Sequence, residues 1–158
     1  MEWLNQEQQA AWRAFIMGHQ LLLDRLDRDL RESHGISLNE YEVLVRLSEA
    51  PGQSMRMATL ADAMCHSRSR LTHTVGRMEN ATLVVRTATA DDGRGILATM
   101  TARGREVLVE AAPTHVQGVR ENLIDLATDS DVRALGRIFD AVSDRLMEGR
   151  PAIADVRH

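Results

Sequence analysis

The amino-acid sequence predicts a mainly α-helical fold with one small β-hairpin in the middle of the chain. Apolar residues recur at spacings of three and four over most of the 158 residues, which is typical of amphipathic helices. The segment 84–101 breaks this period with β-forming residues on both sides of a charged turn. Hydrophobic residues make up 44% of the chain and charged residues 27%, as in an ordinary globular domain. We therefore expect a single folded domain over 1–158.

The composition excludes several classes of protein. The sequence has no run of about 18 uncharged apolar residues that could span a bilayer, and its first residues lack the basic segment of a secretory signal. The single cysteine, Cys65, cannot form a disulfide within the chain, which agrees with a reducing compartment. We therefore expect a cytoplasmic protein without a membrane partner.

Two helices are predicted in the first third of the chain. The first carries an apolar stripe over 12–30 and ends near Gly35, a residue type that commonly terminates helices. Ser37 and Glu40 then occupy the N-cap and N3 positions of a capping box. A second helix is therefore expected to begin at Leu38.

Two shorter helices follow the Pro-Gly pair at 51–52. Residues 57–66 predict a third helix, and Ser67 can cap a fourth over 68–79. The fourth helix has one apolar stripe, while its other faces are polar, basic and free of acidic residues over its first three turns. The surrounding third of the chain, 53–100, is the only third with a net positive charge, six arginines against four acidic residues. This local excess can attract phosphates although the whole chain carries net −4.

Two long helices are predicted after the hairpin. Thr101 can cap a fifth helix that carries Pro113 in its interior, where a proline should bend or divide it. A sixth helix is expected to begin within 129–131. Its apolar residues follow spacings of three and four and form a coiled-coil-like seam of Val132, Leu135, Phe139, Val142 and Leu146.

The apolar stripes of the first, fifth and sixth helices need to be covered. The economical explanation is a homodimer, because these helices are long relative to the small core that they could share. The alternative is that the three helices only cover one another within one chain. Residues 151–158 are expected to form a flexible tail.

Two short helices, the second of them polar, and a hairpin with an arginine at its tip together describe a winged helix-turn-helix. Such a helix fits the major groove of DNA, and the hairpin can reach the adjacent minor groove. A solvated helix beside an ordinary turn is the alternative for each feature taken alone. We expect base contacts among Ser69, Arg70, Thr72 and His73, and phosphate or minor-groove contacts from Arg68, Arg77 and Arg94.

These residues resemble the MarR family of bacterial winged-helix regulators, and the resemblance covers nearly the whole chain. Its most specific part is Asp92-Gly93-Arg94 followed by Met100-Thr101 and Gly104, which is similar to the family's wing pattern Asp-x-Arg and Leu-Thr-x-x-Gly. Leu60-Ala61, Ser67-Arg68-Ser69 and Arg77-Met78-Glu79 are also similar to family positions.

The resemblance implies a winged helix-turn-helix lobe over 36–101 and a helical dimerisation region over 1–35 and 102–150. It also implies a pair of Asp92 and Arg94 that stabilises the wing. A homodimer would then bind a pseudo-palindromic operator in double-stranded DNA. The function that follows is a sequence-specific transcriptional regulator, expected to be a repressor released by a small aromatic or anionic effector.

The sequence departs from the family between the fourth helix and the wing. The family usually has glycine there, whereas this chain has Ala81 and Thr82. A β-branched residue is costly at positive φ. We therefore expect Asn80 to take the left-handed conformation, or the turn to differ.

Two kinds of regulatory site can be considered. His115 lies where the resemblance places an effector crevice, which we expect to be bordered by Trp12, His19, Leu38 and His115. A core histidine with satisfied hydrogen bonds is the alternative for each of the two histidines. Cys65 is expected to be a small buried side chain, and oxidation sensing through it is an alternative.

Enzymatic and metal-dependent functions find no support in the sequence. It has no nucleophile elbow, phosphate-binding loop, zinc-protease motif or dinucleotide glycine pattern. No two histidines or cysteines have a metal-ligand spacing, so neither a metal nor a cofactor is expected. Because the basic excess is small, a helical dimeric protein-interaction module without an operator is the competing interpretation.

Overall fold

A computed structural model describes residues 1–89 and 95–147 of the chain. The predicted fold class is confirmed, because helices dominate and a small sheet forms a wing. Short 3₁₀ turns at Pro51–Gln53 and Ile124–Leu126 connect longer elements. Within the described ranges the elements follow the order α1 (Gln6–His34), α2 (Leu38–Glu49), β1 (Ser54–Arg56), α3 (Met57–Ala63), α4 (Arg68–Asn80), β2 (Val84–Ala88), β3 (Ile96–Met100), α5 (Ala102–Asn122) and α6 (Asp129–Met147).

Capping boxes set the beginnings of the first two helices. α1 begins earlier than its apolar stripe because Asn5 and Gln8 exchange side-chain to backbone hydrogen bonds, each 2.9 Å long. The predicted capping box of Ser37 and Glu40 is confirmed at the start of α2. Gly35 takes the left-handed conformation, with φ 69°, and ends α1 as expected.

The sheet has one strand more than the sequence predicted. β1 pairs antiparallel with β3, and β3 pairs antiparallel with β2, so the strand order is β1-β3-β2. β1 has only three residues, which is too short for a periodic signal in the sequence. It ties the segment before α3 to the wing.

The turn between α4 and the wing corrects the expectation for Asn80. Asn80 is the last residue of α4, and Thr82 is the residue with positive φ, at 59°. Hydrogen bonds offset the cost of this backbone conformation for a β-branched residue. The N–H of Thr82 donates to the carbonyl of Glu79 at 2.9 Å, and the Thr82 carbonyl accepts from the hydroxyl of Thr101 at 2.6 Å.

Cys65 is exposed, so the expectation of a buried cysteine was wrong. α3 ends at Ala63, earlier than predicted, and Cys65 lies in the turn between α3 and α4 with φ 51°. Its N–H donates to the carbonyl of Asp62 at 3.0 Å. The small buried side chains of this region are Ala61 and Ala63 instead.

α5 continues across Pro113 as one helix, so the proline does not divide it. Pro113 lies on an exposed face, where water can hydrogen-bond the carbonyl that the missing proline N–H leaves free. α5 ends at Asn122, and a 3₁₀ turn leads into α6.

The core lies where the end of α1, the helices α2 to α4, the sheet and the start of α5 meet. The inward stripe of α4 is buried as predicted, with Leu71, Val75 and Met78 fully covered. Fully buried leucines at 30, 44, 47 and 60 surround it. Among the residues described, no helix is both long and apolar enough to cross a membrane.

Gly104→Ala is expected to lower the free energy of unfolding by at least about 2 kcal/mol. A Cβ added at Gly104 would lie 2.2 Å from the backbone oxygen of Leu83, so α5 or the β2 segment would have to move. The matched control is Gly76→Ala inside α4, where a Cβ meets nothing within 4 Å. That control should raise stability by about 0.5 to 1 kcal/mol. Urea unfolding measures both changes, and an equal effect at the two positions would contradict the packing at Gly104.

Candidate nucleic-acid interface

The polar side chains of α4 face solvent because the opposite stripe is fixed in the core. Ser67 caps the helix, and its hydroxyl accepts from the N–H of Arg70 at 3.2 Å. Thr74 is the polar exception, since it is buried and its hydroxyl donates to the Arg70 carbonyl at 3.1 Å. The six described candidates for DNA contact are all exposed or partly exposed on this surface, namely Arg68, Ser69, Arg70, Thr72, His73 and Arg77.

A groove of about 220 Å³ separates the beginning of α4 from the wing. Arg68 and Thr72 form its α4 side, and Ile96 of β3 forms part of the other side. Arg56, at the end of β1, also borders it and is exposed. Sequence reasoning missed Arg56 because it did not predict β1, although an arginine directly before the third helix was a visible signal.

A second, more open groove of about 420 Å³ lies on the other side of the same helix face. Thr72 and His73 border it together with Arg77 and with Arg86 of β2. Arg86 was also missed as a site residue, since a cation within a strand has no distinctive pattern. Thr72 therefore stands between two grooves that both carry arginines.

A carboxylate holds Arg77 in place. The Nε–H of Arg77 donates to Oε1 of Glu40 at 3.2 Å, and the Glu40 side chain is only 12% exposed. The other carboxylate oxygen of Glu40 accepts from the N–H and the hydroxyl of Ser37, both at 2.8 Å. One side chain thus caps α2 and orients an arginine of α4.

A second carboxylate joins the end of α4 to the wing. Glu79 accepts from the backbone N–H of Arg86 at 3.0 Å and from its guanidinium at 3.0 and 2.7 Å. The side-chain hydrogen bond from Arg86 lowers the pKa of the Glu79 carboxyl. The wing strand therefore keeps a fixed position relative to α4 at neutral pH.

The charge of Arg70 acts on groups of α2 and of the turn before α4. Desolvation raises the pKa of the Glu42 carboxyl, and the positive charges of Arg46 and Arg70 partly oppose this change. Desolvation lowers the pKa of His66, and the positive charge of Arg70 lowers it further. Arg70 is therefore electrostatically coupled to groups away from the exposed face.

His115 borders a cavity of about 280 Å³ between α2, α5 and the turn after α3. Its ring lies 4.5 Å from the ring of Tyr41, measured between centroids. Its Nδ1 is buried, and the described residues provide no hydrogen-bond partner for it. Desolvation lowers the pKa of His115, which favours a neutral ring. The full lining is Tyr41, Glu42, Val45, Arg46, Ala63, Met64, Cys65 and His115.

The other three residues expected at the effector crevice lie elsewhere in the chain. Trp12 and His19 stack on either side of Phe15, at centroid distances of 5.8 and 5.6 Å. Phe15 also packs against Phe139 of α6 at 5.2 Å. Leu38 is buried at the start of α2. Within one described chain, His115 is therefore the only one of the four that lines this cavity.

Two further expectations concern the wing tip and metal binding. Asp92 and Arg94 lie outside the described residues. In the ranges 1–89 and 95–147, no three His, Cys, Asp or Glu side chains are grouped so that they could hold a metal ion.

Comparisons with known proteins agree with this arrangement. A sequence model of the MarR family matches residues 34–95. The crystal structure of AbsC, a MarR family transcriptional regulator from Streptomyces coelicolor, shares 40% identity at a TM-score of 0.87, over 94% of this chain and 99% of AbsC. The chain belongs to the MarR family. The resemblance seen in the wing motif and in the opening of α4 is thereby confirmed, and a family of transcriptional regulators fits a sequence without catalytic motifs.

Two other solved MarR structures are also similar to the chain. Sco3205 from Streptomyces coelicolor, solved in complex with DNA, shares 39% identity at a TM-score of 0.89 over 92% of each chain. A mutant of MarR from E. coli, solved with operator DNA, shares 20% identity at a TM-score of 0.75 over 89% of this chain and 99% of that one, which shows the fold alone. No curated protein matches the chain.

Proposed function

We propose that this MarR family regulator is a cytoplasmic homodimer that binds a pseudo-palindromic site in double-stranded DNA and acts as a repressor released by a small effector. The observation that carries the proposal is the exposed, acid-free face at the beginning of α4, bordered on both sides by grooves with arginines. The DNA complex of Sco3205, a relative of 39% identity, supports the same use of the fold.

The proposed DNA contacts of α4 are of two kinds, to base edges and to phosphates. Thr72 and His73 lie at the centre of the exposed face, where side chains can reach base edges in the major groove. Arg68 and Arg77 lie towards the two grooves and are suited to phosphates. Glu40 accepts a hydrogen bond from the Nε–H of Arg77, so the two terminal nitrogens of the Arg77 guanidinium stay available for a phosphate. Arg94, on the sequence evidence, would contact the minor groove or a phosphate, with Asp92 stabilising the wing.

His73→Ala is expected to weaken binding to the operator by about 1 to 3 kcal/mol and to leave binding to random DNA nearly unchanged, because a base contact carries sequence information. Arg68→Gln should weaken binding to both the operator and random DNA, since a phosphate contact carries no sequence information. Fragments selected from the organism's own DNA supply the operator, and fluorescence anisotropy over a range of salt concentrations measures both affinities.

The control for this experiment is Arg120→Gln. Arg120 is exposed near the end of α5 and pairs with Asp125, so its loss removes one positive charge that does not belong to α4 or the wing. It should leave both affinities unchanged. If the protein selects no fragment and its duplex binding does not weaken with salt, the chain is a protein-interaction module instead.

The apolar surface that one chain leaves uncovered supports the proposed dimer. On α6, Leu146 is 72% exposed and Val142 is 43% exposed, and Val132 is half-buried. On α1, Trp12 is 56% exposed. Contiguous apolar patches of this kind mark interfaces, and a second copy supplies the same complementary surface through a two-fold axis. We therefore assign the seam of Val132, Leu135, Phe139, Val142 and Leu146 to the contact between copies.

Val142→Asp should convert the dimer into monomers, because a carboxylate placed twice near the two-fold axis is desolvated and repelled. Val142 is preferred to Phe139, since Phe139 also packs within its own chain and Phe139→Asp is expected to disturb folding as well. The control is Arg137→Asp, which is also exposed and lies almost opposite on the helix. Sedimentation velocity gives the masses, and a Val142→Asp protein that remains dimeric would move the interface elsewhere.

The effector is proposed to bind at His115, in the cavity between α5 and the lobe. The Nδ1 of His115, which has no hydrogen-bond partner among the described residues, the Tyr41 ring and the nearby Arg46 suit a small aromatic acid. The partner copy could bring Trp12 and His19 to the same region. A ligand held there releases DNA only if it prefers a spacing of the two α4 helices that no longer matches one DNA turn of about 34 Å.

Saturating effector is expected to lower operator affinity roughly 5 to 150-fold, and operator DNA must weaken effector binding by the same factor. Calorimetric titration of salicylate-like acids into the free and the DNA-bound protein measures both, with His115→Ala as the variant that loses binding and Arg120→Gln as the control that leaves DNA binding unchanged. Equal affinity in both states would remove this mechanism. Loss of operator binding on peroxide treatment, absent in Cys65→Ser, would then assign regulation to the exposed Cys65.

A further inference from the structure

We propose that the groove between β1, the beginning of α4 and the base of the wing binds one phosphate of the DNA backbone. Both Arg56 and Arg68 contact this phosphate. The inference rests on the proposed DNA binding and adds a residue of a strand that is neither in the recognition helix nor at the wing tip. Four observations carry it: the placement of Arg56, its lack of a described carboxylate partner, the chemistry of the groove and the path of the DNA.

The sheet brings Arg56 to the base of the wing. Arg56 pairs with Leu97 in the register of β1 and β3, next to the point where β3 begins. A Cβ added at Gly95 would lie 3.0 Å from Nη1 of Arg56, so the guanidinium packs beside bare backbone. The side chain therefore extends along the wing towards the groove that Arg68 and Thr72 border.

Arg56 and Arg68 differ from Arg77 and Arg86 in their ion pairs. Arg77 and Arg86 pair with Glu40 and Glu79, at 3.2 and 2.7 Å. In the part of the chain that the structure describes, no ion pair involves Arg56 or Arg68. Two such guanidinium groups at one groove repel each other and produce a positive potential that an anion would relieve.

The groove favours a phosphate over a base edge. The Thr72 hydroxyl already donates its proton to the Arg68 carbonyl at 2.8 Å, so the donors that remain at this groove are the two guanidinium groups. Met57, Ala58 and Ile96 make the remaining walls largely apolar, which reduces the screening of the arginine charges. What is left for recognition is planar guanidinium, whose geometry matches the oxygens of a phosphate.

The course of DNA past a winged helix-turn-helix identifies the source of this phosphate. If α4 lies in the major groove and the wing in the adjacent minor groove, one sugar-phosphate backbone separates the two. That backbone must cross the space between α4 and the wing, which is the groove bordered by Arg56 and Arg68. A phosphodiester of the operator is therefore the ligand that the geometry supports.

Arg56→Gln is expected to weaken binding to operator and random DNA by a similar factor, roughly tenfold, and to lower the slope of log affinity against log salt by about 1 for each protomer that loses the contact. Arg56→Lys should restore the slope but only part of the affinity, since it keeps the charge and loses the planar fork. Arg120→Gln is the charge-matched control. Unchanged slope and affinity in Arg56→Gln, while the wild type binds DNA in a salt-dependent way, would overturn the inference and leave the proposed function intact.

Neutral methylphosphonate linkages, placed one at a time along the operator, identify the phosphate itself. At one linkage per half-site, the losses caused by the neutral linkage and by Arg56→Gln should not add, because both remove the same contact. Additive losses at every linkage would overturn the assignment. Titration of the DNA-free protein with inorganic phosphate separates a free ion from DNA. Saturable millimolar or tighter binding that depends on Arg56 would assign the groove to a free anion instead.

Discussion

The burial of one stripe of α4 is the constraint on which the rest of the lobe depends. Leu71, Val75 and Met78 are fully covered by the core, so the helix cannot rotate about its axis without exposing them. Deleting one such side chain typically costs about 2 to 5 kcal/mol, which is a large part of the stability of a small domain. The exposed face of Arg68, Thr72 and His73 is therefore determined by hydrophobic packing and not by DNA. A recognition surface produced in this way exists before its ligand arrives.

Two carboxylates connect the elements that pack around the core and orient the arginines of the surface. Glu40 joins the N-cap of α2 to Arg77, and Glu79 joins the end of α4 to Arg86 of the wing. A further hydrogen bond, 2.8 Å from the N–H of Leu38 to Asp27, ties the start of α2 to α1. A shift of α1 relative to the lobe would therefore act on α2 and, through Glu40, on α4. This contiguous set of polar contacts offers a physical path from α1 to the exposed face of α4.

The sequence predicted those parts of the fold that have a local signal. The capping box at Ser37, the end of α1 at Gly35 and the buried stripe of α4 all follow from short patterns whose physical cause lies within one turn of helix. The positive φ of Thr82 could not be predicted, because it depends on hydrogen bonds to Glu79 and to Thr101, the latter 19 positions away. β1 was missed for the same reason, since three residues form a strand only when β3 is beside them. The candidate site also has a predictable part and an unpredictable part. Helical spacing separates the polar face of α4 from its core stripe, so that face could be predicted. Only the sheet places Arg56 at the same groove as Arg68, so Arg56 could not.

A chain with net charge −4 can present a DNA-binding face because its acidic residues are distributed and bonded in a particular way. At the α4 surface, Glu40 and Glu79 each bind an arginine, so they orient cations and at the same time reduce their attraction for distant phosphates. Arg56 and Arg68 form no such pair with any described carboxylate. In the proposed complex, Arg77 and Arg86 would position the DNA backbone in a defined geometry, and Arg56 and Arg68 would supply attraction that every DNA sequence shares. The distribution and pairing of the charged residues, and not the net charge of the chain, thus determine how this face would attract and position DNA, while base contacts from α4 would distinguish the operator.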